Sequence, residues 1–206
     1  MVEKQDIDSA PLSMVLGDLN REGSRSYVVL GTECFHAGFT FNWGDRAVDY
    51  WYPQGISGTA SAYDDGTYLG VPVALVSWYH KPQNDSSTST DKGARVSVIL
   101  TEDFDEIRYR HTLLVEPYRS ADGTPNFKQI QSFHAGGIAW YGPYLYVADT
   151  ANGFRVFDMT KMMKVSTGAS NSIGHSSDGK YHAFNYKYII PQVNRYKICS
   201  ESCCVR

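Results

Sequence analysis

Two short segments of the chain place the same chemically capable side chain in the same surroundings. His36 sits in Phe35-His36-Ala37-Gly38 and His134 in Phe133-His134-Ala135-Gly136, while Tyr181-His182-Ala183-Phe184 adds a third histidine beside an aromatic residue and an alanine. Convergent neutral imidazoles would suit zinc or another divalent metal. Water bound to such an ion could then act as the base of a metal-dependent lyase or hydrolase. The competing reading is that each histidine caps a turn or packs between strands. His80, His111 and His175 read as ordinary strand or surface residues.

Aromatic residues form the second candidate set. The chain has 15 Tyr, 9 Phe and 4 Trp, and aromatic side chains favour the half-buried surfaces of sheets. Trp43, Tyr50, Trp51, Tyr52, Trp78 and Tyr79 cluster near turn sequences, where rings with a polar tip could stack on a glycan or clamp a protein ligand. A paired-carboxylate hydrolase is a weaker alternative, with Glu116, Asp49 and Asp149 as candidates because they flank expected strands. Glu102-Asp103-Phe104-Asp105-Glu106 reads as a solvated loop, and Asp64-Asp65-Gly66 as a turn. No phosphate loop, nucleophile elbow or dinucleotide fingerprint is present.

The elements that must carry these residues are almost all strands. Short runs of Val, Ile, Leu, Tyr and Phe bounded by Gly, Asp, Asn and Pro recur through the chain. They cover residues 27–30, 39–41, 73–79, 94–100 and 110–116, then 138–140, 145–148, 154–157 and 186–190. Residues 1–25 form a polar N-terminal segment with one helix candidate after Ser9-Ala10-Pro11, capped by Ser9 and stopped by Gly23. A Ser/Thr/Asn/Asp tract from Gln83 to Lys92 reads as a mobile surface loop. The pattern is all-β.

Internal repetition narrows the architecture. Gly55-Ile56-Ser57, Ala74 to Trp78 and Gly93-Ala94-Arg95-Val96 parallel Gly137-Ile138-Ala139, Leu145 to Thr150 and Gly153-Phe154-Arg155-Val156. Repeated four-stranded units are the logic of a β-propeller. Residues 26–206 then form a propeller-like domain with blades near 53–118 and 133–190. Two blades fall short of a closed ring, so the expectation is an incomplete ring that exposes a sheet face and self-associates. Gly137 would let the innermost strand approach a crowded axis.

The run Gly137 to Asp158 resembles an NHL-type propeller blade. Residues 138–139, 146–150, 152 and 155–158 match its G-I-A, Y-V-A-D-T-x-N and R-V-F-D wording. His134 to Asp158, with Leu113 to Tyr118 and Tyr188 to Gln192, is also similar to a family of secreted propeller-like proteins, a resemblance that implies no activity.

Bulk properties set outer limits. Net charge is −3 with the basic residues scattered, which argues against nucleic acid. No apolar run is long enough for a membrane-spanning helix. Four cysteines (Cys34, Cys199, Cys203, Cys204) and the sequon Asn84-Asp85-Ser86 point to disulfides and an extracellular setting, although residues 1–9 form no signal peptide. The leading expectation is a binding or scaffold module, and the alternative is the metal enzyme. Metal analysis of purified protein separates them: stoichiometric zinc or another divalent ion would favour the enzyme, and a metal-free protein the binding module.

Overall fold

The computed structural model describes residues 7–26, 38–150 and 152–197. His36, all four cysteines and the expected strand at 27–30 lie outside those residues. The described chain is all-β, built from two antiparallel meanders. The first comprises β1 (Trp51–Gly58), β2 (Val73–His80), β3 (Ala94–Leu100) and β4 (Arg108–Arg119), and a short strand β5 (Pro125–Gln129) pairs with the far end of β4. The second comprises β6 (Ile138–Tyr141), β7 (Tyr144–Asp149), β8 (Gly153–Asp158) and, after the small ribbon of β9 (Ile173–His175) and β10 (Tyr181–Ala183), β11 (Tyr188–Tyr196). The repeat is therefore visible in space: the two Gly-x-Arg-Val segments open the third strand of each meander.

The two meanders are not separate stacked sheets. They join edge to edge through a parallel pairing of β4 with β11, in the register Leu113 with Ile189, Leu114 with Ile190 and Val115 with Pro191. The strand order is β6-β7-β8-β11-β4-β3-β2-β1, and the two end strands curl round to meet, giving a nearly closed, barrel-like sheet of eight strands. The reason lies in composition. Leu113-Leu114-Val115 and Tyr188-Ile189-Ile190 are apolar on both faces and almost fully buried. Such segments belong inside a covered sheet, where parallel strands are found. The sequence points instead to an open array, with the strands at 55–57 and 137–140 innermost. Here those strands are the two ends of the sheet.

The seam between β1 and β6 is closed by side chains and close backbone approach. Trp140 N donates to Ser57 Oγ at 2.9 Å, and Ser77 Oγ donates to the Ala135 carbonyl at 2.8 Å. A Cβ on Gly55 would lie 2.8 Å from Ile138 N and 3.1 Å from Gly137 Cα. Gly55, rather than Gly137, is the glycine that closeness requires. Beside Gly137 only the Ala148 Cβ comes near, at 3.9 Å.

The strands alternate between two environments. Val73, Leu75, Val96, Val98, Leu114, Leu145, Val147, Phe157 and Ile190 share one buried cluster with Trp140 and Phe133. Leu12 and Val15 of α1 (Leu12–Leu16) and the preceding Ala10 complete it. The N-terminal segment is thus part of the domain core, not a polar extension. Pro11 occupies its N-cap position without a side-chain cap bond, and Gly17 rather than Gly23 ends it. On the opposite face, Val76, Trp78, Ile99 and Tyr109 are covered by Phe39, Phe41, Val48 and Tyr50. Leu113, Val115 and Ile189 are covered by Phe127, Tyr181 and Phe184. No helix among the described residues is long and apolar enough to cross a membrane.

Gly55→Ala tests the seam. The new methyl would press on backbone atoms that cannot turn aside, so a loss of about 1–3 kcal/mol is expected in urea unfolding. Gly137→Ala should cost less.

Candidate functional site

Local alternation explains how His134 is displayed. In the loop leading to β6, Phe133 and Ala135 point into the core while His134 is exposed between them. Ser132 and Ala135 adopt left-handed backbone, with φ of 53° and 50°. The loop is pinned on both sides: Ser132 N donates to Asp91 Oδ2 at 2.7 Å, and the Ala135 carbonyl accepts from Ser77.

Next to His134 stand two of the expected aromatic residues. Tyr52 and Tyr79 are cross-strand partners on β1 and β2, and such opposed aromatic pairs stabilise a sheet. Their rings stack at 5.3 Å and 21°, and Tyr79 stacks on His134 at 4.6 Å and 17°. Three chain segments thereby contribute to one continuous column of rings. Tyr79 and His134, backed by Tyr52, line a cleft of about 470 Å³ whose wall also includes Lys81, Gln83, Asp91 and Gln131.

The other expected residues fall elsewhere. Trp51 and Trp78 are 6% and 1% exposed and do not offer a stacking surface. They enclose the Arg95 guanidinium, which lies 4.4 Å and 4.8 Å from their rings. Alternation along a strand does not reveal that residues 39–50 cover its outer face. Trp43 is exposed on α2 (Trp43–Arg46), with Arg46 over its ring at 4.9 Å, and Tyr50 lies edge-on to His80. His182 is buried on β10, with Nε2 2.9 Å from Asp178 Oδ2, in surroundings unrelated to those of His134. Among the described residues no group of three His, Cys, Asp or Glu side chains is placed to hold a metal ion.

Sequence reading misses two buried polar networks. In the first, Trp78 Nε1 donates to Ser97 Oγ at 2.8 Å, and Ser97 Oγ lies 2.9 Å from His111 Nδ1. His111 Nε2 lies 3.0 Å from Asp45 Oδ1, though off the axis of a well-directed hydrogen bond. Asp45 also accepts from Tyr109 Oη at 2.6 Å and Arg21 Nη1 at 3.0 Å, and Arg95 Nη2 stands 3.5 Å away. Burial alone would raise the Asp45 carboxyl; the close contact with His111, the hydrogen bond from Tyr109 and the nearby cations outweigh it and hold it well below the carboxylate range. Burial, reinforced by Arg95, pushes His111 down to about 3, so the ring is neutral. Ser, His and Asp are the residue types of an acyl-transfer triad. Ser97, however, is fully buried, so no substrate reaches its oxygen. The network anchors Arg95 and the short helix α2.

The second network pins the polar tract at 83–92. His80 Nε2 donates to Asp85 Oδ2 at 3.0 Å, Lys92 N donates to His80 Nδ1 at 3.2 Å, and Lys92 Nζ reaches Asp85 at 3.0 Å. Asp85 is buried, so this tract is fastened to β2 rather than trailing from it. Burial lowers His80 despite the Asp85 hydrogen bond, so it too is neutral. Arg155, the counterpart of Arg95 in the second meander, is likewise buried. It donates to Asp149 at 2.8 Å, Glu116 at 3.0 Å and Gln192 at 2.6 Å. Glu116 and Asp149 therefore serve a structural cation rather than facing each other across a substrate.

Comparison of the chain with known protein families, with curated proteins and with solved structures finds no match.

The two buried histidines set a pH dependence. Both are neutral in the fold, whereas the unfolded chain protonates them below their usual 6.5. The unfolded state then binds more protons, so stability falls as the pH drops below 6.5, by up to about 1.4 kcal/mol per pH unit for His111, with His80 acting in the same direction. Below 3.8 the depressed carboxyls of Asp45 and Asp85 add to the loss. Urea unfolding at about pH 7 and about pH 5 measures the slope, and His111→Asn should reduce it. An unchanged slope in that variant would contradict the neutral assignment.

Proposed function

We propose that this protein is a binding module for carbohydrate, with the ligand held at the Tyr52–Tyr79–His134 column. The observation that carries the reading is the column itself. Three rings from separate segments stack beside a cleft, and His134, exposed on the free side of Tyr79, ends it. Sugar recognition combines an aromatic surface for the apolar faces of the ring with polar groups for its hydroxyls. Lys81, Gln83, Asp91 and Gln131 supply such groups around the same cleft. The rigid sheet beneath supports a preorganised site, since ordering costs at binding are then small.

A carbohydrate ligand also fits the extracellular setting suggested by the cysteines and the sequon. Each meander presents the same Gly-x-Arg-Val third strand with a buried, ion-paired arginine, which supports treating the two as blade-like modules of a propeller-related ancestor.

The test is a glycan array followed by calorimetric titration of any retained oligosaccharide. Tyr79→Ala and His134→Ala should each weaken binding about tenfold or more, equivalent to about 1.4 kcal/mol. Trp43→Ala, which lies off the column, should leave it unchanged. Retention of no glycan, or equal affinity in both column variants, would overturn the reading.

A further inference from the structure

On the other face of the sheet, where β4 meets the turn before β11, lies a second cleft of about 210 Å³. Its wall carries Arg21, Lys92, Arg110 and Lys187 and no carboxylate. That is unexpected in a chain whose net charge is −3. The counter-ions lie outside the wall and are shared. Asp18 serves both Arg110, at 3.1 Å, and Lys187, at 2.5 Å; Asp85 serves Lys92; and Asp45 serves Arg21 together with Arg95. Five cations against three carboxylates leave a local surplus of two positive charges.

Donors also remain at the cleft. A lysine ammonium has three N–H groups and an arginine guanidinium five. Arg110 directs Nε to the Asp18 backbone carbonyl and Nη2 to the Asp18 carboxylate, and Lys187 directs a single contact to that carboxylate. His111 faces the cleft while only 4% exposed, with its Nε2 3.0 Å from Asp45 Oδ1 but off the axis of a well-directed hydrogen bond. The wall opposite is preformed. Phe184 and Asn185 adopt successive left-handed conformations, φ 50° and 71°, which non-glycine residues rarely do. They are held there by Phe184 N donating to the Ser172 carbonyl and by Asn185 Oδ1 accepting from Gly168 N. Strain of this kind persists only where the surroundings enforce it, and it concentrates at ligand clamps.

We propose that this cleft binds a phosphate group, clamped by Lys92, Arg110 and Lys187 above His111. Two negative charges match the local surplus, and the planar fork of arginine suits the tetrahedral oxyanion. Tyr186, which also lines the cleft, provides a flank for whatever carries the phosphate. The site uses none of the residues of the aromatic column and stands independently of the carbohydrate reading.

Isothermal titration with inorganic phosphate and with phenyl phosphate, against sodium chloride at matched ionic strength, tests the proposal. Saturable binding with millimolar or tighter affinity is expected. Tighter binding of phenyl phosphate would identify a phosphomonoester as the natural form, and equal binding would identify free phosphate. The double variant Lys92→Met, Lys187→Met should weaken either ligand about tenfold or more. Should that variant fail to fold by circular dichroism, Lys187→Met alone, at the half-exposed rim, should still weaken binding several-fold. No saturable binding of either phosphate by the wild-type protein, or equal affinity in a folded lysine variant, would overturn it.

Discussion

Leu113 to Val115 of β4 and Ile189 to Pro191 of β11 form the contact on which the remaining architecture depends. Without their parallel pairing the two meanders would each present the unpaired edge of an apolar strand to water. With it, β4 becomes the crowded centre of the sheet, bonded to β3, β5, β11 and the short strand Arg21–Glu22. The join also positions the turn that precedes β11. Phe184 to Lys187 comes to lie against Arg110 and His111, and the cationic cleft is the space left between them. The chemistry of that face is a by-product of how the halves dock.

Buried charge is the second organising feature. Arg95 and Arg155 occupy equivalent places and both are nearly inaccessible. A buried guanidinium is tolerable only with a carboxylate and hydrogen-bonding partners around it. Each has recruited them from outside its own meander strand: Asp45 from α2 in one case, Glu116 and Gln192 from the neighbouring strands in the other. The two aromatic enclosures, Trp51 with Trp78 and Phe133, add cation–π contact. These arginines tie surface segments and neighbouring strands to the sheet.

What the sequence made legible follows from how local each feature is. Ala94–Leu100 was readable to the residue because its turn signals and β-branched content lie within itself. The equivalence of Arg95 and Arg155 was readable because the repeat preserves their neighbours. The aromatic column was half readable: Tyr52 and Tyr79 stood out by type, but their stacking depends on cross-strand register, and His134 was singled out for metal rather than for its ring face. Asp45 and His111 were not readable as partners, because a covering segment from residues 38–50 brings them together across the sheet. Trp51 and Trp78 were misplaced for the same reason, since the cover that buries them is remote in sequence. The closure of the sheet was hidden as well, because repeats of this kind are compatible with either stacked or edge-joined units.

The β4–β11 join has a kinetic consequence. Hairpins within each meander link residues close in the chain and form early and locally, but the parallel pair cannot form until the intervening strands have been made and brought round. Long-range pairing bears its loop-closure entropy before any contact rewards it, and such topologies fold slowly. Until then the apolar edges at Leu113–Val115 and Ile189–Pro191 remain unpaired and open to strands of other molecules. The contact that makes the native sheet continuous is thus a long-range one, and its two halves are the stretches through which an unfinished chain would misassemble.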